Sequence, residues 1–144
     1  MKRTRSERGS ALLEFSLLAS GLLLLCLGFI DFSLAIGKAI TLMSAAQAGA
    51  RFGAAEGNSN DTAGMTTAAQ KAAYGITGMT VNTTTTCSCS AGGSVVSCST
   101  VCNTYDLPVQ YVQVQTAASV PLLFNFAGIP LNVKMSGSAR LRAR

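Results

Sequence analysis

The stretch "ALLEFSLLASGLLLLCLGFIDFSLAI", Ala11–Ile36, is apolar except for Glu14 and Asp31, and no other feature constrains this chain as strongly. Its uncharged core, Phe15–Ile30, covers about 16 residues, or roughly 24 Å of helix. That falls slightly short of a hydrocarbon core of about 30 Å, whereas the whole run from Ala11 to Ile36 is long enough to cross it. The two acids then lie near the two interfaces, roughly 25 Å apart along the axis. A carboxylate at mid-bilayer costs about 2.5–3.5 kcal/mol on insertion scales, so an acid retained in such a segment calls for a use.

Composition supports an anchored chain. Apolar residues make up 49% of the 144 and charged residues 12%, a charged share about half that of an average soluble domain. The length suits one modest domain plus an anchor. There is no His, which removes the commonest general base and metal ligand. No G-x-S-x-G motif and no Gly-rich phosphate loop occurs either, so the expectation is a non-enzymatic protein with no cofactor and no catalytic residues. Asp61 and Asp106 are isolated acids near turns, where capping explains them.

The net charge of +5 is unevenly placed: Lys2, Arg3, Arg5 and Arg8 precede the apolar run against Glu7 alone. Without residues 1–9 the balance falls to about +2. A basic tip before an apolar helix orients it with the tip in the cytoplasm. Nucleic-acid binding would need basic residues spread over a folded face with aromatics between them, and none is seen. Arg140, Arg142 and Arg144 read as the solvent face of a final strand, with an anionic partner surface as the alternative.

Beyond the apolar run, "GKAITLMSAAQAGARFGAAEG" holds no Pro and is rich in Ala, so the helix is predicted to continue to about Glu56, roughly 70 Å from Ser10. Ala45, Gly49, Gly53 and Gly57 recur every four residues beside Ala46, Ala50 and Ala54. Small residues at that spacing let another backbone come close, either that of a neighbouring helix or that of the chain's own domain. Gly57 and "NSND" stop the helix. A second helix is predicted over Thr62–Tyr74, capped by Asn60 or Asp61 and stopped at Gly75. "MTVNTTTTCSCS" then reads as a strand, "AGGS" as a turn and "VVSCSTVC" as the return strand. In Tyr111–Val120, Val112, Val114, Thr116, Ala118 and Val120 share one face. In Leu131–Arg142, Leu131, Val133, Met135, Ala139 and Leu141 do the same. Period two of this kind marks a sheet with one buried side. The fold class is therefore α+β: a long N-terminal transmembrane helix, a short helix and a small antiparallel sheet. The expected divisions are a leader at 1–9, a membrane-spanning part at 10–37, its extracytoplasmic continuation at 38–57, and an α+β domain at 58–144.

Four of the five cysteines, Cys87, Cys89, Cys98 and Cys102, cluster in the predicted hairpin. A zinc site would usually show C-x₂₋₄-C on both sides, whereas one half here is C-x-C. In an oxidising compartment the cluster reads as two disulfides, for which three connectivities exist. A hairpin turning at Ala91–Ser94 would nest Cys89–Cys98 inside Cys87–Cys102. Cys26 reads as a small apolar residue in lipid.

The segment "RGSALLEF" adds the decisive motif. A short basic leader ends in Gly9, an acid stands five residues later, and the apolar helix starts there. This resembles the class III signal peptide of type IV prepilins, which a prepilin peptidase cuts between Gly9 and Ser10. Cutting creates an α-amino group with a pKa near 8 at Ser10. Glu14, about 6 Å along the same helical face, would pair with it in the same subunit or a neighbour, and such pairing in a low-dielectric setting can enforce helix register. With "GFIDFSLAI", the Ala-rich "AAQAGARFGAA" and a closing β region, the chain is similar to TadE-like pseudopilins of Flp/Tad (tight adherence) pilus systems. The resemblance implies a structural minor pilin that primes, assembles or caps a type IVb pilus and acts in adhesion. Its implied partners are the prepilin peptidase, other pilins and the inner-membrane pilus machinery, with membrane lipid around its helix. Its implied location is the bacterial inner membrane, N-terminus cytoplasmic and domain outside, with incorporation in a pilus. The Cys-rich hairpin departs from what the resemblance implies. The rival reading is an uncut single-pass anchored protein whose extracytoplasmic domain binds a ligand.

Overall fold

The computed structural model describes residues 7–90, 93–102, 106–124, 128 and 131–143. Its elements are α1 (Glu7–Ala54), α2 (Thr62–Ala72), β1 (Thr80–Ser88), β2 (Val95–Val96), β3 (Val109–Pro121) and β4 (Asn132–Arg142). The strands form one antiparallel sheet in the order β2-β1-β3-β4. This is the α+β class that the periodicities predict.

The helix α1 runs unbroken for 48 residues because nothing within it stops a helix. It ends at Ala54, just before Gly57 turns the chain with φ +81°. The Asp61 side chain caps α2 by accepting from the Gly64 N–H at 2.8 Å. Such a cap satisfies one of the first-turn donors that a helix leaves without a partner. Gly75, at φ +72°, reverses the chain after α2. Both helices end a little earlier than predicted, at Ala54 rather than Glu56 and at Ala72 rather than Tyr74.

The far half of α1 and α2 cover one face of the sheet. Val112, Val114, Thr116, Ala118 and Val120 are all buried on that face, as their alternation predicts. Ala50, Met65, Ala69, Val112 and Val114 form the core cluster. The small-residue stripe is used here: Ala45, Ala46 and Ala50 are fully buried. A Cβ added at Gly49 would stand 2.9 Å from the Met65 carbonyl oxygen, and one at Gly53 would stand 2.8 Å from Val112 Cγ1. The stripe therefore seats α2 and β3 of its own chain. Gly57 lies outside it, exposed in the turn.

The sheet comes close to the helix at Gly137 in β4, where an added Cβ would stand 2.6 Å from the backbone of Leu42 and Met43. Beside it, the buried Thr116 hydroxyl donates to the Leu42 carbonyl at 2.8 Å. Sequence alternation places Val133, Met135, Ala139 and Leu141 on the inner face but does not mark Gly137, the residue on which the approach depends. The return strand is also shorter than predicted. Only Val95 and Val96 pair with β1, opposite Cys87 and Ser88.

Candidate functional site

Function on this scaffold is distributed along α1 and the strands beside it. Helix and sheet run alongside each other in matched order: Asp31 meets Leu123 and Phe124, Leu42 meets Thr116 and Gly137, and Gly53 meets Val112. One end of the domain therefore lies at Asp31, with the α2–β1 and β3–β4 connections. The other end lies beyond Gly53 and carries the cysteine hairpin.

The near part of α1 is largely exposed, and no residue from Ala11 to Ile30 is buried. Leu12, Leu13, Phe15, Leu17, Leu18, Leu22–Leu25, Phe29 and Ile30 are all about half exposed or more. Glu14 is exposed among them and is the only charged residue between Ala11 and Ile30. Gly9 and Ser10 belong to the first turn of α1, where backbone N–H groups have no intrahelical partner and a turn is easily opened. Residues 1–6 of the leader lie outside the described residues. Cys26 is exposed and free.

Asp31 has partners within the chain that the sequence does not reveal. It is 5% exposed, and its two carboxylate oxygens accept from the backbone N–H groups of Leu123 at 2.8 Å and Phe124 at 3.0 Å. A carboxylate that accepts two backbone donors forms charge-assisted bonds, which are stronger than neutral ones. Asp31 thus pins the β3–β4 loop to the helix. About two turns further along the helix, Lys38 donates to the Gly75 carbonyl and holds the α2–β1 connection. No local signal could have revealed the Asp31 clamp, because its partners lie 92 and 93 residues away.

At the opposite end the four clustered cysteines form Cys87–Cys98 and Cys89–Cys102, with Cα–Cα distances of 5.1 and 5.4 Å. This corrects the nested pairing. The register puts Cys87 opposite Val96 and Ser88 opposite Val95, and the turn is closed by the Gly93 N–H on the Ser90 carbonyl. The turn is therefore closed between Ser90 and Gly93, one residue earlier than Ala91–Ser94. Cys98, two residues past Val96, crosses diagonally to Cys87, and Cys102 is left for Cys89. Ala91 and Gly92 lie outside the described residues. The Cys87–Cys98 bridge ties the chain after β2 to β1, which β3 holds along its length, and the Cys89–Cys102 bridge starts from the residue that follows β1.

On the open face of the sheet, the Arg140 guanidinium sits 4.5 Å from the centre of the Tyr111 ring, a cation–π contact that accounts for this arginine within its own chain. Arg142 is exposed, and Arg144 lies outside the described residues. Glu14 and the disulfide hairpin are roughly 60 Å apart along the helix, so the structure assembles no single centre from the sequence-predicted residues.

These features define a class: an α+β protein carried on one continuous helix whose first half is apolar on every side. The family comparison adds that residues 9–51 match the TadE-like protein family, so the chain is similar to that family from Gly9 into the docked part of α1. Residues 52–144, including the sheet and the disulfides, lie beyond the match. Neither the curated proteins nor the solved structures gave a match.

Proposed function

We propose that this chain is a minor pilin of a Flp/Tad tight-adherence pilus, stored in the inner membrane with its domain outside and recruited to assemble, prime or cap the fibre. One observation carries the reading: a basic leader ending in Gly9 runs directly into a helix whose apolar surface is exposed on all sides and interrupted by Glu14 alone. A soluble domain does not retain so large an exposed apolar surface, and lipid or neighbouring helices would cover it.

In this reading the prepilin peptidase opens the first turn of α1 and cuts between Gly9 and Ser10. The new α-amino group is cationic at neutral pH. Glu14 lies one turn away, and in apolar surroundings an ion pair between the two groups, within one subunit or across to the next, relieves the cost of burying either alone. A helix seated against its neighbours in the wrong register would leave both charges unpaired. The domain contributes a rigid body and an exposed disulfide-bonded end, the part available for adhesion.

The test is the mature N-terminus of the native protein, by intact mass and N-terminal sequencing from its own host. A start at Ser10 is expected, and a Gly9→Val variant should accumulate uncut and fail to enter pili. A wild-type start at Met1 or Lys2 would overturn the reading and leave an anchored domain with Glu14 at the interface.

A further inference from the structure

We propose that the start of the β3–β4 loop is a second membrane contact, seated in the outer interface of the bilayer beside α1 and held there by Asp31. The inference rests on the reading of α1 as membrane-spanning and adds to it where the span ends and what else meets lipid.

Depth comes first. Ala11–Ile30, exposed except for the half-buried Ala19, Leu27 and Gly28, is about 20 residues or roughly 30 Å of helix, the thickness of a hydrocarbon core. Asp31 follows at once and is the first buried position of α1 among the described residues whose burial is known. Whatever Asp31 holds therefore lies where hydrocarbon gives way to headgroups. We accordingly end the spanning part near Ile30 rather than at residue 37.

What Asp31 holds is an apolar loop. Leu123 is 66% exposed, Phe124 37% and Leu131 51%, and the base of the loop is closed by the Leu122 N–H on the Leu131 carbonyl at 2.8 Å. A loop can leave water only where its backbone donors are satisfied within the protein. The clamp does this for Leu123 and Phe124. Beside the loop an apolar cleft of about 480 Å³ opens between α1 and β4, lined by Gly28, Phe32, Ile36, Leu122, Val133 and Met135. Apart from Asp31 at its edge its walls are apolar and continue the lipid-facing surface of the helix, and it has the dimensions of a site for an acyl chain. Lys38 stands about 10 Å further along the helix axis, and Lys134 follows the loop by two residues of β4. Both suit the level of anionic lipid phosphates. One medium, the bilayer, covers helix, loop and cleft together.

The chain contains no Trp, so single-Trp variants of the full chain report their surroundings directly. Leu123→Trp, Leu24→Trp and Leu107→Trp would be placed in phosphatidylcholine–phosphatidylglycerol vesicles containing lipids brominated near the headgroup or deep in the chains. Leu107 is exposed at the opposite end of the domain. The expected result is blue-shifted L123W emission, quenched several-fold more by shallow bromines than that of L107W, with L24W quenched by deep bromines. Adding Asp31→Asn should lower the L123W quenching, because an amide offers one acceptor oxygen where the carboxylate offers two. L123W behaving like L107W while L24W is quenched would overturn the proposal and leave the span standing. An unquenched L24W would instead overturn the span itself, and the proposal with it. L123W quenching lost on diluting protein in lipid would identify a second copy as the cover and overturn the lipid assignment.

Discussion

The two halves of α1 share a helix but obey different rules. From Ala11 to Ile30 the residues are mostly apolar and exposed, and none is buried against the rest of the chain. From Asp31 to Ala54 a stripe of small residues, Ala45, Ala46, Gly49, Ala50 and Gly53, is buried against α2 and the sheet, and its size is set by what presses on it. The glycines make the difference plain. A Cβ added at Gly21 or Gly28 would meet nothing within 4 Å, whereas one at Gly49 would stand 2.9 Å from a backbone oxygen of α2. The first half is specified by hydropathy alone and waits for an external partner. The second has already found its partner within the chain.

The contrast can be broken most sharply in β4. Gly137→Ala pushes a methyl group into the α1 backbone, which cannot yield as a side chain can. A loss of about 1–3 kcal/mol is expected for overpacking of this kind, read as a fall in Tm in detergent. Gly49→Ala should cost somewhat less: the helix gains up to about 1 kcal/mol of propensity, which partly offsets the clash with α2. Asp31→Asn should remove one of the two clamp bonds, a loss of about 1 kcal/mol, visible as faster hydrogen exchange at Leu123 or Phe124 with the rest of the sheet unchanged. Smallest of all, Gly21→Ala should leave domain stability unchanged. A destabilised G21A domain would mean that the first half of α1 packs on the domain after all.

Much of this contrast can be read from the sequence because it is periodic. The alternation in β3 names the whole buried face, and the four-residue spacing of Ala45, Gly49 and Gly53 names the docked stripe. Between the stripe's two possible partners, neighbour helix or own domain, spacing cannot choose, since both demand small residues. What stays hidden depends on contacts between distant residues. Gly137 looks like any strand glycine until α1 lies against it. Asp31 looks like an interfacial acid because its partners are two amides at the far end of the chain. The cysteine pairing depends on where the hairpin turns, and shifting that point by two residues exchanges the partners. Gly9, Ser10 and Glu14 belong to the opposite case: their order in the sequence carries the whole argument, and Glu14 is exposed on α1.

The side-by-side run of α1 and β3 has a mechanical consequence. A force that draws the helix along its axis is parallel to the strands, so the Asp31 clamp, the Thr116–Leu42 bond, the Gly137 contact and the Gly53 seat all bear the load together, in shear. None can be peeled away before the next is engaged. A domain attached in this way follows its helix as one body when the helix is pulled.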